Sequence, residues 1–240
     1  MARVAIEVPD VGTVYITRKR GQRTMRLRVD TKGEVHVSMP WLVPRLQAVA
    51  FVKSKRAWVQ EQQADAQITP YNGMLFGKTM QLIIHENSTA VRSQQKGKQL
   101  IVHFDSRYDP TQKEHINKVE KAIMRSLRTE AEKVLLPRLR ELADMYGFNF
   151  KSSAIKQVTG RWGSCDSKCH ITLSLFLIQL PIEMIDYVLI HELSHTDHMN
   201  HSAAFWKQVE TFCPDYKPVR KSMRGMRPRL YDAKTFMVMA

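Results

Sequence analysis

The stretch that decides the fold is PIEMIDYVLIHELSHTDHMNH, residues 181–201. Its apolar residues recur at helical spacing as far as Leu193, so the segment predicts a core helix that begins at Pro181 and ends near residue 198. Four of the nine histidines of the chain lie in its last eleven residues. A polar helix end with surface histidines is the alternative to a metal site.

The histidine spacing favours the metal site. His191 and His195 are four residues apart, so on a helix they project from one face and can share a tetrahedral zinc ion. Glu192 stands beside the first histidine, where its carboxylate can reach a metal-bound water without being a ligand. In HExxH hydrolases zinc lowers the pKa of this water to about 7 and the glutamate takes the proton. We therefore predict Glu192 as the general base.

The third ligand has three candidates. His201 can return to the ion if the helix ends near residue 198 and the chain turns at Met199 and Asn200, and Ser202 would then cap a following helix. His198 shares the helix face but lies about 7.5 Å from the ion along the axis. We predict His201, with His198 and Glu210 as lesser candidates. The spacing equals that of the metzincin motif HExxHxxGxxH, although His198 stands at its glycine position and no Met-turn follows.

Composition bounds the class of protein. A hydrophobic content of 43% with 25% charged residues is ordinary for a globular chain and argues against disorder. The net charge of +14 predicts attraction to polyanions such as nucleic acid or nucleotides, a merely basic surface being the alternative. The sequence does not indicate the oligomeric state.

The cysteines and the termini indicate the compartment. Three cysteines, Cys165, Cys169 and Cys213, argue against a disulfide framework and for a reducing environment. The N-terminus lacks the apolar run of a signal peptide, and the most apolar segment is interrupted by charged residues and a proline. We therefore predict a cytoplasmic protein with no membrane partner.

Residues 1–108 are predicted to form a β-rich region with one amphipathic helix. Three alternating segments, 14–20, 24–30 and 34–40, predict a meander with one basic face. The helix begins at Pro44 and should bury Leu46 and Val52. The remaining strands are predicted at residues 79–86, 89–95 and 98–104, with QKGK at 95–98 as a hairpin turn.

Residues 109–240 are predicted to be mainly helical. The glycine-free segment 111–146 predicts a long helix that Pro137 kinks or splits and that Gly147 ends. Strand signals return at residues 150–158 and 171–175, before the histidine-bearing helix. The fold class is therefore α+β.

Four motifs resemble the YgjP-like metallopeptidase family, a relative of the SprT-like and WLM zinc proteases. They are RWGSC (161–165), PIEMIDYVLIHELSH (181–195), NHSAAFW (200–206) and PDY (214–216). Residues 18–40 and 71–84 also resemble the N-terminal region of that family, so the resemblance covers most of the chain. It implies a zincin-like C-terminal half with zinc on His191, His195 and His201 and with Glu192 as base. ITLSLFL departs from the asparagine-containing run of the family, which leaves the role of Ser174 open.

Several residues near these motifs have two interpretations each. Arg161 could orient substrate or an oxyanion, or RWGSC could be a structural turn in which Gly163 allows curvature. Cys165, Cys169 and His170 could bind a second zinc ion or be reduced structural thiols. Tyr216 could hydrogen-bond a tetrahedral intermediate or pack against the histidine-bearing helix.

Three functions follow, in order of preference. The first is a zinc-dependent metallopeptidase acting on a protein or peptide substrate. The second keeps the metal but hydrolyses the phosphoanhydride of a nucleotide. The third is a nucleic-acid-binding protein with a structural zinc, whose basic segments 18–28 and 217–229 contact the polyanion; Arg18, Arg20, Arg26 and Arg28 stand at the strand spacing of a cationic face.

Overall fold

The structure is a computed structural model that describes residues 3–30, 33–66, 68–86, 91–105 and 109–233, without the side chains of residues 61 and 64–66. The chain divides into two compact units, Met1–Ile68 and Thr69–Ala240. Sheets at the N-terminal side and helices at the C-terminal side give the predicted α+β class. Among the described residues, no helix has both the length and the apolar character needed to cross a bilayer.

The first unit holds a four-stranded sheet. Its strands are β1 (Arg3–Val8), β2 (Gly12–Lys19), β3 (Arg26–Val29) and β4 (Val35–Pro40), in the order β1-β2-β4-β3. The three predicted strands are present, but the predicted meander is wrong because β4 lies between β2 and β3, parallel to β2. Val35, Val37 and Met39 are fully buried, so the most apolar strand takes the centre and arginine-rich β3 takes the edge.

The predicted basic face is only partly formed. Arg26 and Arg28 pair with Ser38 and His36 and share one face of the sheet. Arg18 instead pairs with the buried Met39 on the other face, and its guanidinium donates a hydrogen bond to the carbonyl of Val43 at 3.2 Å. Arg18 therefore does not belong to the cationic face that the strand spacing predicted.

The single predicted helix is in fact two helices. They are α1 (Arg45–Ser54) and α2 (Arg56–Ala66), separated at Lys55. Ala48, Val52 and Val59 are fully buried in the core of this unit. The prediction for Leu46 is wrong, since this side chain is 79% exposed on the first turn of α1.

The second unit begins with another four-stranded sheet. It contains β5 (Leu75–Phe76), β6 (Met80–His85), β7 (Arg92–Lys96) and β8 (Gln99–His103), in the order β5-β6-β8-β7. The predicted hairpin joins β7 to β8 with Gly97 in the left-handed region, at a φ of 57°. Residues 89 and 90, the start of one predicted strand, lie outside the described residues. The change of sequence character at residues 108 and 109 falls inside this unit, between β8 and the next helix.

The predicted long helix is α3 (Lys113–Tyr146), which runs unbroken for 34 residues. Pro137 does not split it, because this proline is on the exposed face, where water can satisfy the carbonyl that loses its donor. Gly147 ends the helix with a φ of 77°, and its N–H bonds to the carbonyl of Ala143. The opposite face of α3 buries Leu127, Leu135 and Leu139.

A small sheet and three helices complete the second unit. The sheet has the order β10-β11-β9, from β9 (Ser152–Lys156), β10 (Gly163–Cys165) and β11 (His170–Ser174). A buried 3₁₀ helix, Leu175–Gln179, leads to α4 (Ile182–Ser194), α5 (Ala203–Phe212) and α6 (Tyr216–Ser222). Arg138 of α3 holds α4 through two hydrogen bonds to Asp186, of 2.9 and 2.7 Å.

The end of α3 generates a stability prediction. Gly147→Ala places a side chain in the left-handed region where nothing lies within 4 Å, so backbone strain alone should lower the free energy of unfolding by about 1 kcal/mol. Gly160→Ala is the matched control, because Gly160 also has open space around it but no positive φ. Urea unfolding should show a lower midpoint for the first variant only, and equal midpoints would contradict the strain argument.

Candidate metal centre

Three histidines meet at the end of α4. His191 lies in its last turn, His195 caps it, and His201 comes from the segment that leads to α5. One ring nitrogen from each lies within 4.8 Å of the others, and the Nε2 atoms of His191 and His201 are 3.2 Å apart. The helix ends at Ser194, earlier than the predicted residue 198, because the chain turns just beyond it.

The donor set fits a tetrahedral cation. Zinc bound to imidazole nitrogens at about 2.0–2.1 Å requires nitrogen pairs roughly 3.3 Å apart, close to the separation of His191 and His201. Nδ1 of His195 lies 2.9 Å from the carbonyl oxygen of His198. Because a carbonyl only accepts, Nδ1 carries the proton and Nε2 keeps a lone pair for a metal. His198 thus contributes its backbone, and its ring is outside the cluster.

The surroundings keep two of these rings neutral. Burial, followed by the neighbouring His195 and His201, lowers the pKa of His191 to about 3. Burial also lowers the pKa of His201. Arg220 on α6 adds to both shifts through its positive charge. Neutral imidazole is the form that binds metal, so the site is prepared for a cation at neutral pH.

Hydrogen bonds shape the turn that returns His201. The amide of His198 donates to the carbonyl of Ser194 at 3.0 Å. The hydroxyl of Thr196 donates to the carbonyl of Leu193 at 2.7 Å. Ser202 then caps α5 by accepting from the amide of Phe205 at 3.3 Å, as predicted. These bonds satisfy the end of one helix and the start of the next within a few residues.

Two aromatic residues that the sequence analysis did not single out fix the rings. Phe205 is fully buried and stacks on His195, with ring centroids 4.5 Å apart. Trp206 stacks on His201 at 5.6 Å and 24°, and the guanidinium of Arg220 lies 4.4 Å from the indole centroid. The available signal was their position in the first turn of α5, directly after the Ser202 cap.

Glu192 is enclosed on the side of α4 that faces β10. It is 5% exposed, and the backbone N–H of Cys165 donates to its carboxylate. Burial raises the pKa of Glu192 to about 8, while the charge of Arg161 and the Cys165 hydrogen bond oppose the shift. At this pKa the carboxyl group is largely protonated at neutral pH, so a proton-accepting role requires the positive charge of a bound cation to lower the pKa again.

Gly163 allows this enclosure. A Cβ at Gly163 would lie 2.6 Å from both Cγ and Oε1 of Glu192, closer than real contacts allow. Its φ is not in the left-handed region, so the predicted role in curvature is replaced by close approach of the strand to the helix. Sequence alone could not show this, because the partner lies 29 positions away.

The other candidate residues are engaged elsewhere. Glu210 pairs with Lys217 at 2.8 Å. Tyr216 is buried and stacks on Trp206, with centroids 5.4 Å apart. Ser174 donates to the carbonyl of Val158 at 2.7 Å and caps the 3₁₀ helix, a structural role.

The cysteine-rich turn forms no metal group within the described residues. Cys165, Cys169 and Cys213 are free, and His170 pairs with Asp166 at 3.1 Å. Burial, with smaller contributions from Cys169 and Glu192, raises the pKa of the Cys165 thiol to about 12. Since a thiolate is the metal-binding form, this environment favours the structural interpretation of the turn.

Asp30, Glu34 and His36 form a second cluster of possible ligands in the first unit. His36 lies 2.9 Å from Asp30, and Arg3 pairs with Glu34 at 3.3 Å. A guanidinium neutralises part of this cluster, so ion pairs account for its arrangement.

The comparisons with known proteins identify a family. Residues 23–226 match the model of the YgjP-like metallopeptidase domain. Among solved structures, the metallopeptidase zymogen abylysin of Pyrococcus abyssi is 25% identical, with 40% of this chain and 99% of that chain covered and a TM-score of 0.35. A search of curated proteins found no match. Since the family match spans most of the sequence, the chain belongs to the YgjP-like family of metallopeptidases.

Proposed function

We propose that this protein is a zinc-dependent peptidase in which His191, His195 and His201 bind the metal and Glu192 is the general base. The observation that carries the proposal is the meeting of three imidazoles at the end of α4, with a buried carboxylate at the position that follows His191 in the sequence. Three nitrogen ligands with an open fourth position are typical of catalytic zinc, whereas structural sites are closed by four protein ligands. No fourth histidine, cysteine or acidic side chain joins the cluster within the described residues.

The chemistry divides between the metal and the chain. Zinc, when bound, supplies a Lewis acid and an acidified water for attack on a peptide carbonyl. Glu192 accepts the proton of that water and returns it to the leaving amine. The Cys165 N–H holds the carboxylate, and the backbone of Gly163 packs closely against it. Because the base is already fixed in position and desolvated, little conformational entropy is lost when the transition state forms.

The competing functions have less support. A nucleotide phosphoanhydride hydrolase would be favoured by a carboxylate-rich magnesium site, whereas Glu34 is paired with Arg3 and Asp30 with His36. A purely structural zinc would leave the burial of Glu192 beside the cluster without a purpose. The family assignment favours hydrolysis of peptide bonds over both.

The role of Glu192 generates the central prediction. Glu192→Gln keeps the size and the Cys165 hydrogen bond but cannot accept a proton. It should bind one zinc per chain, as measured by elemental analysis, and cleave unfolded casein at least about 100-fold more slowly than the unaltered protein. Glu210→Gln removes an exposed carboxylate on α5 and should change neither quantity.

Two outcomes would count against the proposal. Loss of zinc from Glu192→Gln would make this residue a ligand and not a base. Hydrolysis of nucleoside triphosphates by zinc-loaded protein that leaves casein and unfolded proteins intact would favour the phosphoanhydride alternative.

The packing of His201 generates a second prediction. Trp206→Leu removes the indole against which the imidazole stacks and should weaken zinc binding by about 10-fold or more, since groups that orient ligands typically have this effect. Trp206→Phe should recover most of the affinity, because it restores an aromatic face. Competition with a chromophoric chelator measures the dissociation constant. Trp41→Leu, on the exposed surface of the first unit, is the control, and equal affinities in all variants would remove Trp206 from the site.

A further inference from the structure

A polar cavity lies on the small sheet that carries β10. Its volume is about 280 Å³, and Lys156, Arg161, Gly163, Ser164 and Thr172 are among the residues that line it. Of this wall, the sequence motifs pointed to the RWGSC residues and to Ser174. Nothing in the proposed zinc chemistry uses the cavity, so its function is a separate question.

The lining has the chemistry of an anion site. Lys156 and Arg161 are exposed, and neither makes a salt bridge with another described residue. Ser164 and Thr172 are paired across β10 and β11, so their hydroxyls stand side by side on one face of the sheet. Two cations without a salt bridge to a described residue, together with two hydroxyl donors, suit a carboxylate, which can take a bidentate contact from Arg161.

The cavity adjoins the proposed general base. Gly163 forms part of the cavity wall, and the backbone of this residue lies close to the side chain of Glu192. Arg161 also lines it, and the charge of this arginine acts on the Glu192 carboxylate. The segment from Arg161 to Gly163 is therefore shared by the cavity and the surroundings of Glu192.

The strand β10 can bring a substrate to both places. It is an edge strand, paired only with β11 in the described sheet. A peptide extended along this edge directs successive side chains to opposite faces. The backbone of Gly163 borders both Glu192 and the cavity, and the next residue, Ser164, is paired with Thr172 in the cavity wall, so adjacent substrate positions along this edge would alternate between the two faces of the strand.

We propose that this cavity binds the acidic side chain of the substrate and that the peptidase selects aspartate or glutamate at one position flanking the cleaved bond. This inference rests on the proposed function and adds the substrate class. Lys156 and Arg161 are specificity-determining residues in this account.

The test is a comparison of matched peptides. A degenerate peptide mixture digested by the zinc-loaded protein and analysed by mass spectrometry should show one flanking position enriched in aspartate and glutamate. For a peptide cleaved at that site, replacing the acid by its amide should lower kcat/KM at least about 10-fold. Lys156→Gln and Arg161→Gln should each reduce this acid-to-amide ratio several-fold, and Arg161→Lys should retain part of it. Lys168→Gln, an exposed lysine outside the cavity, should leave the ratio unchanged.

An effect of Arg161 on Glu192 would change kcat/KM for the acidic peptide and for its amide equally. It therefore cancels in the acid-to-amide ratio. Cleavage without acid preference, or a preference that survives both glutamine variants, would overturn the inference and leave the peptidase intact. No cleavage of any peptide by zinc-loaded protein would overturn the peptidase proposal itself. Binding of the acidic peptide to Glu192→Gln, followed by fluorescence anisotropy, separates the cases, since it requires the cavity but no turnover.

Discussion

The contact between Gly163 and Glu192 is the constraint on which the rest of the site depends. An edge strand approaches a helix so closely that no side chain fits between them, and the carboxylate occupies the space that a Cβ would need. This contact buries the Glu192 carboxylate, places the Cys165 N–H against it and packs α4 closely against the small sheet. The Arg138 contacts with Asp186 hold the same helix from the α3 side, so α4 is restrained on two faces.

The metal-binding side of α4 is restrained by different forces. His195 has a carbonyl partner for its second ring nitrogen, whereas Nδ1 of His191 is buried without one. The rings of His191 and His201 are held mainly by Phe205 and Trp206. Aromatic packing therefore replaces part of the hydrogen-bond network that usually orients histidine ligands. Since α5 supplies both aromatics, the Ser202 cap that starts this helix also positions the third histidine.

The sequence was most informative where a function depends on local spacing. The i, i+4 histidines, the Ser202 cap and the Gly147 helix end all depend on neighbouring residues, and each is where the pattern indicated. Contacts between distant segments were not accessible in this way. The insertion of β4 between β2 and β3, the exposure of Leu46 and the fit of Gly163 against Glu192 depend on which surfaces meet in three dimensions. The helix α4 ends at Ser194 and not at the predicted residue 198, because the His195–His198 turn replaces one more helical turn.

The segment between His195 and His201 tolerates one kind of evolutionary change and forbids another. Its side chains at Met199 and Asn200 are exposed, so their identity is open to drift, whereas Asp197 accepts a hydrogen bond of 2.6 Å from Gln208 on α5. Its length is fixed, because one inserted residue displaces the chain by about 3.5 Å, while coordination tolerates only about 0.2 Å. Homologous sequences should accordingly vary in residue identity within this segment but not in its length. A deletion or insertion at this point would mark a chain that can no longer hold a metal with these three histidines.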